Sequence, residues 1–142
     1  MIETPGQKKA PSEHTFAAVH KRKILVKISH IGTSVSTPLK AKYDVSEVYD
    51  SDNICEAIAH YDPLLIVFEL CPENLLDDLY LCRDLKDRVD TFHIPLILLS
   101  KHFTTDSYLA GIKIGADAYL KDPVNWDILS ALIENLICSR ER

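Results

Sequence analysis

The sequence predicts an α/β fold: a doubly wound, five-stranded parallel sheet with helices on both faces. Two continuous apolar runs, Leu64-Leu65-Ile66-Val67-Phe68 and Ile94 to Leu99, have the composition of central parallel strands covered on both sides. Strand-like and helix-like stretches alternate along the chain, and such alternation implies right-handed βαβ crossovers. With 142 residues, of which 46% are hydrophobic and 26% charged, the chain is long enough for one domain with its own core.

The elements follow in order. Residues 1–22 contain Pro5, Gly6, Lys8, Lys9, Pro11, Ser12 and Glu13 without an apolar period, so a flexible tail or linker is expected there and the domain over 23–142. Ile24, Leu25, Val26 and Ile28 form the first strand, interrupted by Lys27. Gly32, Pro38 and many Ser and Thr between His30 and Lys42 leave room only for a short helix over Thr37 to Lys42. Val45, Glu47, Val48 and Tyr49 predict a second strand. Ser51 or Asp52 then caps a helix with Ile54, Ala57 and Ile58 on one face, ended by Asp62-Pro63.

After the third strand, Leu75 to Val89 predicts a helix with Leu79, Cys82 and Leu85 inward. Asp77-Asp78 reads as a solvated pair favoured by the dipole at the start of that helix. The fourth strand, Ile94 to Leu99, leads to a helix over Thr104 to Ile114 that stops at Gly115. A short strand over Ala118 to Leu120 and a last helix over Asn125 to Cys138 complete the count, with Ile128, Leu132, Ile133 and Leu136 inward. The closing Ser139-Arg140-Glu141-Arg142 carries no Gly or Pro stop, which leaves room for a further module.

Composition narrows the function. A net charge of −5 argues against a nucleic-acid surface, which needs concentrated Lys and Arg. Lys21-Arg22-Lys23 reads as a solvated lead-in to the first strand. Cys55, Cys71, Cys82 and Cys138 lack C-x-x-C spacing and are expected to be buried reduced thiols. His30, His60, His93 and His102 are scattered without ligand spacing, so no metal and no cofactor are expected. No apolar run approaches the roughly 18 residues of a membrane span, and no apolar leader opens the chain. A cytoplasmic protein is the expectation.

The segments LYLCRDLK (79–86), HIPLILLS (93–100) and GIKIGADAYL (111–120), followed by Asp122-Pro123, are similar to the receiver domain of two-component response regulators. The resemblance covers about Lys23 to Arg142. In detail it is most similar to receivers of Bacteroides-type hybrid sensor kinases and regulators. It implies a flavodoxin-like sheet with chemistry at the carboxyl ends of the strands.

In that family an Asp ending the third strand takes phosphoryl from a histidine kinase, and two acids after the first strand hold Mg²⁺ beside it, since hard cations need oxygen ligands. The family pattern puts Ile28 and Ser29 where those acids belong, with His30 next. Counting forward from Pro63 puts Glu69 at the acceptor position; counting back from Pro72 puts Phe68 there. Glu69 would imitate the charge of a phosphorylated side chain or simply face solvent, whereas Phe68 would make the pocket apolar. Asp122 replaces the family lysine, with Lys121 one position early and pointing elsewhere. The bond to Pro123 is expected to be cis, as at this turn in the family. Ser100 matches the hydroxyl that senses phosphate, or caps a loop. Tyr119 matches the aromatic switch, or packs on the preceding helix. His30 near Glu69 would be a replacement polar pair.

The resemblance therefore implies a degenerate pseudo-receiver, not an enzyme, acting through protein partners: a histidine kinase, an output domain, or a second copy. The fourth helix, fifth strand and fifth helix form the family's common dimer face, with Tyr108, Lys113, Asp117, Lys121 and Trp126 as candidates here. Neither nucleic acid nor membrane is expected as a partner. The alternatives are a receiver with an unusual acceptor or an anion-binding pocket, and a small-ligand module using the loops Ser29 to Ser36 and Ser100 to Thr105.

Overall fold

The computed structural model describes residues 21–29 and 35–141, with side chains as far as Ser139. The tail over residues 1–20, His30 and most of the loop before Ser36 lie outside the described residues. Among the described residues five strands alternate with five helices: β1 (Lys23–Lys27), α1 (Ser36–Lys40), β2 (Asp44–Val48), α2 (Ile54–Tyr61), β3 (Leu65–Glu69), α3 (Leu75–Asp87), β4 (Leu96–Ser100), α4 (Thr105–Lys113), β5 (Ala118–Lys121) and α5 (Trp126–Glu141). The strands form one parallel sheet in the order β2-β1-β3-β4-β5. Strand order reverses between β1 and β3, so the carboxyl ends of those two strands flank the switch point of the sheet.

Side chains alternate across the sheet. Leu25, Ile66, Phe68, Leu96 and Leu98 face one layer, where they pack with Ile54 and Ile58 of α2 and Leu79, Cys82 and Leu85 of α3. Ile24, Val26, Leu65, Val67, Ile97 and Leu99 face the other, against Leu39 of α1 and Leu129, Ile133 and Ile137 of α5. Each fully buried Leu or Ile contributes about 1.5–3 kcal/mol, so the two layers account for the stability of the sheet.

Local chemistry sets the boundaries. Pro38 sits in the first turn of α1, where its missing N–H is harmless, but the helix lasts only five residues. Asp62 closes α2 in the left-handed region (φ 56°), and the following proline cannot continue the helix. Thr104 and Ser107 form a reciprocal capping box at the start of α4.

Several expectations are corrected. The side chain of Asp50, not Ser51 or Asp52, caps the 3₁₀ turn before α2 by accepting the Asp52 N–H. In α5 the inward row is Leu129, Ile133 and Ile137 at i, i+4, i+8, while Ile128 is 52% exposed and Leu132 and Leu136 only flank the core. Only Cys82 is a buried thiol; Cys55 and Cys71 are half-buried and Cys138 is exposed. Asp77 is solvated as expected, but Asp78 is buried. Arg22 is no free lead-in: its Nη2 donates to both carboxylate oxygens of Glu134 at 2.7 Å, and the guanidinium lies over the Tyr43 ring.

Candidate functional site at the carboxyl ends of the strands

Glu69 is the last residue of β3, and alternation with Leu65 and Val67 turns its side chain toward the α1 layer. It is 7% exposed and does not face solvent. One carboxylate oxygen accepts the Ser29 N–H at 3.0 Å and the other accepts the Val35 N–H at 3.1 Å. The two donors stand at opposite ends of the β1–α1 connection, so Glu69 fastens both ends of that loop to the sheet. Charge-assisted bonds of this kind contribute about 1.5–3 kcal/mol each.

Phe68 turns the other way and is wholly buried in the α2–α3 layer. Lys27 is its partner across β1 and β3. The Lys27 side chain is 4% exposed, and its ammonium lies 5.3 Å from the centroid of the Phe68 ring. It also donates a long bond of 3.4 Å to the carbonyl of Ile28. A desolvated ammonium over an aromatic face gains up to about 2 kcal/mol.

Lys27, Ile28 and Ser29 border an open cleft of about 440 Å³, together with Tyr49, Asp50 and Ser51 after β2 and Cys71, Asn74 and Asp78 after β3. Asp78 reaches back from α3 so that Oδ2 accepts the Cys71 N–H at 2.8 Å. Burial raises its carboxyl above the ordinary range, and the Cys71 N–H and the Lys27 charge oppose that rise. The Ser29 hydroxyl is buried and has no hydrogen-bond partner among the described residues.

These residues do not fit the divalent metal that the family resemblance implies. The side chain of Ile28 offers no oxygen and that of Ser29 only a hydroxyl, the cleft's carboxylates Asp50 and Asp78 already accept the N–H groups of Asp52 and Cys71, and Lys27 lines the same cleft. Among the described residues no group of three or more His, Cys, Asp or Glu is placed to hold a metal ion.

The remaining expected site residues lie at the ends of β4 and β5. Ser100 is buried, and its Oγ accepts the His102 N–H at 3.1 Å, a local loop bond. The Asp122 N–H donates to the Ser100 carbonyl at 2.8 Å, and the Asp122-Pro123 bond is cis as expected. Lys121 is exposed. Tyr119 is buried and packs on α4: its hydroxyl donates to Ser107 Oγ at 3.1 Å, and its ring meets Phe103 edge-on at 5.2 Å. A Cβ at Gly111 would lie 2.3 Å from that ring, so only glycine allows the close approach.

On the expected dimer face, Tyr108 and Lys113 are exposed, whereas Trp126 packs partly against the α1–α5 core. Asp117 is exposed too, but its Oδ2 is engaged, accepting the Leu96 N–H at 2.8 Å and facing Lys86 at 3.4 Å. Sequence reasoning missed Lys27, Asp78 and Ser107. Lys27 had a visible signal, a lone charge at an inward position of an apolar strand.

No family model matches the chain. Over 96 residues it is 29% identical to the response regulator ArlR of Staphylococcus aureus, a match covering 67% of this chain and 42% of the relative. The chain thus matches less than half the length of these curated relatives. In structure it is similar to the N-terminal receiver domain of Klebsiella pneumoniae RstA in its BeF3-activated form, with TM-score 0.70 and 24% identity over 82% of this chain and 98% of that one. It is similar also to the receiver domain of a signal transduction histidine kinase from Syntrophus aciditrophicus, with TM-score 0.72 and 22% identity over 85% and 93% of the two chains. A CheY-like receiver from Methanospirillum hungatei gives TM-score 0.72 at 18% identity, covering 85% and 97%. The parallel 2-1-3-4-5 sheet and these likenesses show that the chain has the fold of receiver domains, and over 96 residues its sequence is similar to that of a two-component response regulator.

Proposed function

We propose that this receiver domain signals without phosphorylation, through contacts with protein partners. One observation carries the reading: the carboxylate that ends β3 is engaged by the N–H groups of Ser29 and Val35 and buried, so it is a structural clamp instead of a nucleophile. Ile28 and Ser29 stand where the resemblance puts the two Mg²⁺ acids, and the acids that do border the cleft, Asp50 and Asp78, accept the backbone N–H groups of Asp52 and Cys71; phosphoryl transfer without a cation loses most of its charge stabilisation. Partners of the kind that receivers serve, a histidine kinase, an output domain or a second copy, fit the exposed α4 surface. The test is an amide NMR titration with Mg²⁺ and then beryllofluoride, a phosphoryl mimic, together with intact-mass analysis after acetyl phosphate. The expected result is no saturable shift at Ser29, Glu69, Ser100 or Tyr119 and no added phosphoryl mass. Shifts spreading from the cleft to Tyr119, or a phosphoryl adduct, would favour the alternative of an unusual acceptor and sink this reading.

A further inference from the structure

We propose that the Lys27 ammonium is the resident cation of the cleft between β1 and β3, fixed covalently where a divalent metal would otherwise be needed. The inference deepens the proposed function, because a cation that never leaves makes the charge of the site independent of metal and of phosphoryl supply. Three observations converge. Lys27, the last residue of β1, and Ser29, two residues beyond it, border the same cleft. Lys27 is 4% exposed, yet among the described residues its ammonium makes one long hydrogen bond, to the Ile28 carbonyl at 3.4 Å, and lies 5.3 Å from the centroid of the Phe68 ring. A buried carboxylate, Asp78, borders the cleft with it and is attracted by its charge. A buried lysine persists where its charge is balanced, and here the aromatic face, the carbonyl and the carboxylate balance it.

An ammonium in this place opposes Mg²⁺ by direct charge repulsion. Removing it while adding one acid should therefore create a metal site. The experiment compares Mg²⁺ titrations, read by amide NMR, of the unaltered chain, Ser29→Asp, and Ser29→Asp with Lys27→Met, the methionine keeping an unbranched stem over Phe68. The expected outcome is no binding by the unaltered chain and at least tenfold tighter binding by the double variant than by Ser29→Asp alone. Equal binding by those two variants overturns the proposal. Failure of the phosphorylation-independent reading is distinguishable, since it would appear as beryllofluoride or acetyl phosphate responses in the unaltered chain, whatever the two variants do.

Discussion

Asp78 shows how one buried acid couples the cleft to solution conditions. Its carboxyl is raised chiefly by burial, with Asp77 adding to the rise and the Cys71 N–H and Lys27 opposing it. The folded state therefore holds the Asp78 proton to higher pH than the unfolded chain does. By linkage, this group favours folding most at low pH, and the contribution fades as pH climbs from the ordinary carboxylate range through the raised value. Asp78→Asn should remove that slope while keeping an oxygen to accept the Cys71 N–H. Urea unfolding at a series of pH values checks this. The unaltered chain should lose stability relative to Asp78→Asn over that window and run parallel above it; parallel curves throughout would show that the side chain is solvated. None of this was legible from Asp77-Asp78 as a pair, because helix-dipole reasoning treats both acids alike, whereas the chain leaving β3 covers only one.

At the scale of elements, α4 and β5 are joined by one close contact. Gly111 lies against the Tyr119 ring, and the Tyr119 hydroxyl reaches Ser107 in the capping box that starts α4. Alanine at an exposed helix position would add about 1 kcal/mol of helix propensity over glycine. At this position overpacking should win, costing about 1–3 kcal/mol, since the new methyl meets ring carbons at 2.3 Å. A double-mutant cycle with Tyr119→Leu separates the effects: Gly111→Ala should be much less harmful once the ring is gone, and additive losses would place the cost elsewhere. Periodicity made α4 readable but carried no sign of this contact, because a glycine inside a helix looks like a weak former until its neighbour is known. The last helix is the reverse case. Its existence was plain, yet its inward row was misassigned by taking Ile128 for a core residue, since apolar residues at 128, 129, 132, 133, 136 and 137 admit two overlapping stripes and only packing on the sheet selects one.

For the whole molecule, the fold was legible because two wholly apolar strands and regular helix spacing leave few architectures open. That Ile28 and Ser29 fall where the resemblance puts two acids is an expectation from the sequence, whereas the bonds from Ser29 and Val35 to Glu69 and the burial of Lys27 against Phe68 were not legible, since both depend on which face of a strand meets which loop. On the phosphorylation-independent reading proposed above, the exposed surface carries the function. On α4, Tyr108, Leu109 and Ile112 are 39%, 47% and 40% exposed at spacings of three and four, which puts Tyr108 and Ile112, and Leu109 and Ile112, side by side. Lys113 beside them and Lys121 on β5 are exposed charges that would rim an interface built on this apolar centre. If a second copy docks here, the unaltered domain should show a monomer–dimer equilibrium in sedimentation measurements, and Ile112→Glu should weaken it at least tenfold, because a charge at the centre of the patch must be buried unpaired. Tyr119 lies behind this patch, 5.9 Å from Tyr108 between ring centroids, so changes at either ring should be felt at the other. A sample that remains monomeric at high concentration, with or without Ile112→Glu, would exclude self-association through α4 and leave a different protein as the partner for this face.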